Sequence, residues 1–468
     1  MLPDFSIFPA LMVLDLENCP ELRSIPDSIG ILEGLKFLNL SRCKNLVELP
    51  RGICKLLSLE KLSLSHCSSL KKLPLAMEEL TALKELDMGF SRNIENLPDF
   101  GKFVNLEKLI LAGCLSITVL PSSIGELNNL KELDIQFLEL ILEVPSLGKL
   151  SCLKKLILSG CESLRNLPTS IGQLRSLQYL EMNKCSSIDC LPEEFGELVH
   201  LEELYTNDCP RLLKLPSTFE NLVNIRILEM RHNPNLMQLP LSFSKLPSLV
   251  WLDASGCNLL DGLHEGIGDI LPLGILNLQS NFFCQLPPSI CKLTNLIRLN
   301  LNNCQSLEEL PILPQGIVEL DVGDCTQLKR LPSMSYLKRL RGLILCNCEN
   351  LIELPELSSC QCLVVLNISR CVNIKSLSGV EGLKSLETFY FGESGVSVLG
   401  LNQYIKDMPQ LEKVCIHANG VPCCLELKTR DYCLNDENFT DILNYSVENN
   451  IKCGGIFLFL VVNFMHEY

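Results

Sequence analysis

The sequence predicts an α/β solenoid: a parallel inner β-sheet backed by irregular, 3₁₀ or short helical segments. Three observations carry this. Apolar residues recur in one short pattern along nearly all of the 468 residues, so the repeat, and not a domain of the usual ~150 residues, is the unit of organisation. Each repeat opens on a period-two alternation and continues with apolar spacings of three or four. Finally, 47% hydrophobic residues against 20% charged and 6% aromatic describe an aliphatic-rich chain with ample surface to bury, which excludes disorder.

Aligned on their leucines, the units start at Leu11, Leu35, Leu59, Leu83, Leu106, Leu130, Leu153, Leu177, Leu201, Ile225, Leu249, Leu273, Leu296, Ile317, Leu340, Leu363, Leu386 and Leu411. These are eighteen units, 21 to 25 residues apart and mostly 23 or 24. In the unit from Leu35, Leu38 and Leu40 share one face while Phe37, Asn39 and Ser41 share the other, as in a short strand. From Leu46 onward the apolar spacing suits a 3₁₀ or irregular return on the opposite side of a coil. One coil cannot bury its leucines alone, so coils stack; strands at ~4.8 Å would give an inner sheet about 80 Å long. Strands pack closer than the bulkier outer segments, so the stack is expected to curve into a horseshoe.

Twelve units place Cys nine positions into the repeat: Cys19, Cys43, Cys67, Cys114, Cys161, Cys185, Cys209, Cys257, Cys304, Cys325, Cys348 and Cys371. Asn233, Asn281 and Asn419 take the same slot. A small buried side chain with a donor suits the point where the chain leaves the strand and carbonyls lose their ladder partners. Fourteen units then carry Leu-Pro, Ile-Pro or Val-Pro, from Pro26 to Pro355, with Pro287 displaced by one. Proline fixes φ and cannot extend a ladder, so the sheet is expected to stay one strand wide per coil.

This pattern resembles the plant intracellular leucine-rich-repeat class, as in the recognition domains of nucleotide-binding disease-resistance proteins. It is also similar to leucine-rich scaffolds that bind small GTPases. Cys in the Asn slot and segments such as Leu120-Pro121-Ser-Ser-Ile124-Gly125 favour the plant resistance group, over roughly residues 2 to 419. The resemblance implies a leucine-rich-repeat horseshoe, recognition of a pathogen effector or a guarded host protein, and contacts that hold an ATPase switch closed.

Residues 1–10 read as a truncated leading repeat, because Leu2-Pro3-Asp4-Phe5 through Leu11 aligns without a gap on Leu97-Pro98-Asp99-Phe100 through Leu106. The expectation is a receptor fragment, with a nucleotide-binding domain preceding it in cis; a degenerate cap formed by residues 1–10 is the alternative. Residues 11–419 form the repeat region. Residues 420–468 hold Cys423-Cys424, Cys433, Cys453, the polar stretch Asn435 to Asn438 and the apolar run Ile456 to Val462, and read as a C-terminal cap or the remnant of a further domain.

Several function classes are set aside. Lys plus Arg total 40 against 55 Asp plus Glu, a net charge of −15, which gives no general attraction to nucleic acid or anionic membranes, so protein partners are expected. Twenty-five cysteines in a long chain with its own core read as reduced thiols. The start lacks the basic and apolar stretches of a signal peptide, and no apolar run reaches the ~18 residues of a membrane span. A cytoplasmic protein, or one present in the nucleus as well, is expected. Gly101-Lys102 and Gly148-Lys149 are followed by Phe103 and Leu150, so no phosphate cradle is present and no cofactor is expected. Six scattered His and the tight Cys346-x-Cys348 and Cys360-x-Cys362 pairs give no metal-ligand spacing. Of four Asn-x-Ser/Thr sequons, Asn39 and Asn367 lie in strands and Asn438 and Asn444 in the tail; chance is the better account. No catalytic residues emerge, and a non-enzymatic role is expected.

What remains is the concave face. Its richest stretch runs from the unit at Leu177 to that at Leu296 and offers Tyr179, Glu181, Glu203, Tyr205, Glu229, Arg231, Trp251, Asp253, Asn277, Arg298 and Asn300. Aromatic and Arg side chains on a rigid polar surface are the types that dominate binding hot spots. The partner-binding set is therefore Tyr179, Glu181, Glu203, Tyr205, Arg231, Trp251, Asp253 and Arg298, with Phe37, Phe90 and Phe137 as a weaker second set. The plain alternative is that long strands tolerate some exposed Tyr and Trp. A protein-recognition module of plant immunity leads; a scaffold for small-GTPase or phosphatase signalling is second.

Overall fold

Each coil begins with the strand that the Leu-x-Leu alternation requires. The computed structural model describes residues 2–260, 262–380, 382–396, 404, 408–418 and 421–426. The chain divides into two compact units, Met1–Asn258 and Leu259–Tyr468.

In the first unit eleven three-residue strands run in chain order: β1 (Val13–Asp15), β2 (Phe37–Asn39), β3 (Lys61–Ser63), β4 (Glu85–Asp87), β5 (Lys108–Ile110), β6 (Glu132–Asp134), β7 (Lys155–Ile157), β8 (Tyr179–Glu181), β9 (Glu203–Tyr205), β10 (Ile227–Glu229) and β11 (Trp251–Asp253). Each pairs parallel with the next, in a register that sets the central leucines side by side, as in Leu38↔Leu62 and Leu204↔Leu228. In the second unit β12 (Ile275–Asn277), β13 (Arg298–Asn300), β14 (Glu319–Asp321), β15 (Gly342–Ile344), β16 (Val365–Asn367), β17 (Thr388–Tyr390) and β18 (Lys413–Ala418) repeat the arrangement. Then β19 (Val421–Glu426) turns back antiparallel on β18.

The apolar set goes inside as the period requires. Leu35, Leu38, Leu40, Cys43 and Leu46 are fully buried, and the same positions are buried in coil after coil. Each such leucine contributes about 1.5–3 kcal/mol by leaving water. On the outer side most coils of the first unit carry a five-residue 3₁₀ segment entered through the proline, such as Arg51–Lys55 after Pro50 and Thr169–Gln173 after Pro168. Proline's fixed φ, −69° at Pro50, leads straight into that segment. Glycine follows the buried Ile because coils touch there: a side chain at Gly125 would collide with the Ser146 carbonyl. Three successive coils put Phe in the Ile slot, and Phe195, Phe219 and Phe243 stack inside with centroids 6.3 and 5.4 Å apart.

Proline does not confine the coil to one row of pairing. Isolated parallel bridges Glu48↔Lys72, Glu143↔Asn166, Cys190↔Lys214 and Glu309↔Arg330 lie two residues before the proline, so a second, minor row forms and the proline ends it.

The cysteine slot works as its chemistry requires. Cys43 Sγ donates to the Leu16 carbonyl at 3.2 Å, Cys67 to Leu40 at 3.1 Å, Cys161 to Ile135 at 3.2 Å and Cys371 to Leu345 at 2.9 Å, each reaching back to the coil before. Ser91 and Asn233 occupy the same slot and do more. Ser91 donates to the Leu64 carbonyl and accepts from the Cys67 amide, and Asn233 does the same with Thr206 and Cys209. Asn419 lies outside the described residues.

One regularity was not anticipated. The residue before the slot is left-handed in coil after coil, including Arg42, His66, Phe90, Phe137, Lys184, Asp208 and His232, with Gly113, Gly160 and Gly256 at the same point. Phe90 and Phe137 are therefore not strand residues. They belong to this turn, where Phe90 stacks on His66 at 5.0 Å and the two rings cover Gly113 and Gly160. Phe37 alone of that set lies on a strand.

At the beginning of the described chain, Phe5–Ile7 form a 3₁₀ turn capped by Asp4, as Phe100–Lys102 are capped by Asp99. Cys433, Cys453, Asn435 to Asn438, Asn444 and the Ile456 to Val462 run lie outside the described residues. Among the described residues no helix is long and apolar enough to cross a membrane.

Candidate functional site: the exposed sheet face of the first unit

Strand residues on either side of each central leucine point away from the core, and they fall into two zones. Over β2–β7 the face is laced with ion pairs between neighbouring coils. In one column Lys36 and Lys84 flank Glu60 at 3.2 and 2.7 Å, and Lys131 meets Glu107 at 2.6 Å. In the next, Lys61 meets Glu85 at 2.6 Å and Lys108 meets Glu132 at 2.8 Å. The Lys36 and Lys84 ammonium groups hold the Glu60 carboxyl below its ordinary range, chiefly by hydrogen bonding.

Over β8–β11 the chemistry changes. The Tyr179 and Tyr205 rings meet at 5.4 Å, tilted by 41°. Tyr179 Oη donates to Glu181 Oε2 at 2.7 Å, and Tyr205 Oη to Glu203 Oε2 at 2.9 Å. Burial, and then the carboxylate each hydroxyl faces, push both phenols above their ordinary value, so they stay protonated donors. Glu181 also accepts from Asn183 Nδ2 at 3.0 Å and Ser159 Oγ at 2.9 Å. Arg231 pairs with Glu229 and lies 3.7 Å from Asp253. The Trp251 ring is half-buried, with its indole N–H enclosed and without a hydrogen-bond partner. The Lys155 ammonium lies 4.7 Å from the Tyr179 ring centroid.

The structure thus brings together Tyr179, Glu181, Glu203, Tyr205, Arg231 and Trp251 on one face of one unit. Asp253 differs from the expectation of a free surface carboxylate. It is only 4% exposed and its Oδ1 accepts from the Ser255 amide at 3.0 Å and the Ser255 hydroxyl at 2.7 Å, which closes the strand end. Asp15, Asn39, Asp87, Asp134, Asn277, Asn300, Asp321 and Asn367 cap their coils alike. Asn39 and Asn367, two of the sequon residues, are thereby engaged. Arg298 lies in the second unit, on β13, 2.8 Å from Glu319. Lys155, Asn183 and Ser159 were missed. Asn183 follows Glu181 by two on the same coil, whereas the signal of Lys155 and Ser159 was their register beside Tyr179 and Glu181, readable only once strands are paired.

Among the described residues the slot thiols lie one to a coil. Burial pushes Cys67, Cys114, Cys161, Cys257 and Cys304 up to about 12, which suits inert packing residues. Among the described residues no group of His, Cys, Asp or Glu could hold a metal ion.

A family model described as a leucine-rich repeat region matches residues 1–143. The chain is 48% identical to TMV resistance protein N of Nicotiana glutinosa over 81 residues, which is 17% of this chain and 7% of that protein. It is 28% identical to disease resistance protein RPP5 of Arabidopsis thaliana over 240 residues, covering 39% of this chain and 16% of the relative. The chain thus matches well under a fifth of the length of either relative. Among solved structures it is similar to the leucine-rich-repeat protein LIC12759 of Leptospira interrogans, with a TM-score of 0.55, 23% identity and coverage of 89% of this chain and 98% of the other. At that identity the likeness speaks for the fold.

Proposed function

We propose that this chain, a leucine-rich-repeat protein related to plant disease-resistance proteins, serves in immunity as a recognition surface. Its β8–β11 face docks a pathogen effector or a guarded host protein. The carrying observation is that Tyr179, Tyr205 and Trp251 cluster within four neighbouring strands, whereas the preceding strands carry one aromatic residue, Phe37, and a run of Lys–Glu ion pairs. Large rings on a rigid sheet lose little entropy on binding and bury much area.

In this reading the protein works in the cytoplasm, or in the nucleus as well, without chemistry of its own. The repeat region spans 11–419, with residues 1–10 as a truncated leading repeat and residues 420–468 as a C-terminal cap or the remnant of a further domain. A nucleotide-binding switch, in cis or on another polypeptide, would be held inactive by contacts with the repeats.

The test is affinity purification of the tagged full chain from plant leaf, with mass spectrometry, beside Tyr205→Ala/Trp251→Ala. Specific partners are expected to fall at least about tenfold in recovery with the double variant. Unchanged recovery would remove this face from recognition.

A further inference from the structure

The two zones differ in how their carboxylates are compensated, and that difference selects a partner. Glu60, Glu85, Glu107 and Glu132 each have a lysine at ion-pair distance. Glu181 is held instead by Tyr179, Asn183 and Ser159, and Glu203 by Tyr205. All of these donors are neutral. They fix the carboxylates in place without cancelling their charge, which leaves an oriented negative potential beside two electron-rich ring faces.

The protein's own cations show what such a face accepts. The Lys155 ammonium lies over the Tyr179 ring at 4.7 Å, and the Arg231 guanidinium is laid between Glu229 and Asp253. The second Tyr ring, at 5.4 Å from the first, widens the platform. Three steps of ~4.8 Å from β8 to β11 make a path about 14 Å long, enough for roughly four extended residues crossing the strands.

We propose that the β8–β11 face takes a cationic, extended segment of a protein partner, with a Lys or Arg side chain over the Tyr205 ring, next to the Tyr179 ring that Lys155 already covers, and with its charges against Glu181 and Glu203. This rests on the recognition reading above and adds the chemistry of the partner. An acidic segment would meet uncompensated like charge, and a purely apolar one would leave Glu181 and Glu203 desolvated without a cation.

The experiment is fluorescence anisotropy on the full chain with three labelled synthetic peptides: alternating Gly-Arg, the same peptide with citrulline for Arg, and alternating Gly-Glu. Citrulline keeps the shape and removes the charge. The arginine peptide is expected to bind at least about tenfold tighter than the citrulline peptide, and the Glu peptide not at all. Glu181→Gln/Glu203→Gln should weaken the arginine peptide about tenfold, and Glu60→Gln/Glu132→Gln by less than about twofold.

Equal loss in the two variants would mean attraction to the overall charge of −15 and would overturn the proposal. So would equal binding of the arginine and citrulline peptides, a comparison on the unaltered chain that needs no variant to fold. If that happens while leaf partners still depend on Tyr205 and Trp251, the recognition reading survives and the cationic partner falls.

Discussion

The β2–β7 and β8–β11 zones of the first unit stand on the same scaffold and present opposite surfaces. Both have three-residue parallel strands and fully buried central leucines, and in both a donor fills the slot that follows, except after β6, where Leu138 stands. One zone spends its outward positions on Lys–Glu pairs that satisfy each other; the other holds rings and carboxylates whose charge no lysine or arginine cancels, apart from Glu229 and Asp253 beside Arg231. In a repeat protein the interior sets stability coil by coil, which leaves the outward positions free to specialise without altering the fold.

The comparison breaks first if the scaffolds are not equal. Leu133→Ala under β6 and Leu204→Ala under β9 should each cost about 2–5 kcal/mol in urea denaturation, and alike, since both side chains are fully buried. A markedly larger loss at one of them would place the difference in the core. Next come the slots. Ser91→Ala and Asn233→Ala each remove a group that donates to one coil's carbonyl and accepts another amide, and each should cost about 1–3 kcal/mol.

A smaller effect tests the strand-end caps. Burial raises the Asp134 carboxyl above its ordinary value of 3.8 despite the Gln136 donors. A raised folded-state value means that the charged form opposes folding, so the stability this residue gives is full at low pH and lost as pH rises. Asp134→Asn, the residue that Asn39 and Asn300 already use, should therefore stabilise the protein at pH 7. The gain should fade as pH falls toward 3.8 in denaturation series. Smallest of all, Glu60→Gln should leave the unfolding midpoint unchanged within error, because exposed pairs are screened by solvent. A clear shift there would make the ion columns structural rather than a neutral filling of surface.

Much of this was readable in the sequence because every coil offers the same environment to the same position. Leu38, Cys43 and Pro50 announced strand, slot and turn by recurrence alone. The left-handed residue before the slot escaped because Arg42, Phe90 and Lys184 share no chemistry; only Gly113, Gly160 and Gly256 hinted at it. Asp253 was mistaken for a surface group because an Asp that caps a strand end and an Asp that awaits a partner look identical without the Ser255 amide beside it. Pairs such as Lys61–Glu85 lie one full coil apart and become neighbours only through strand register. The sequence also offered no boundary at Asn258, although the coil from Leu249 has His264 where other coils carry the proline, and His264 Nδ1 caps the following 3₁₀ segment by accepting from the Gly266 amide.

The alternating columns carry an evolutionary consequence. Tandem repeats gain and lose members by unequal recombination. Excising the single coil 83–105 would set Lys61 beside Lys108 and Glu60 beside Glu107, like against like in both columns at once. Removing two consecutive coils restores the alternation, so the surface acts as a parity check that favours length changes by even numbers over this stretch.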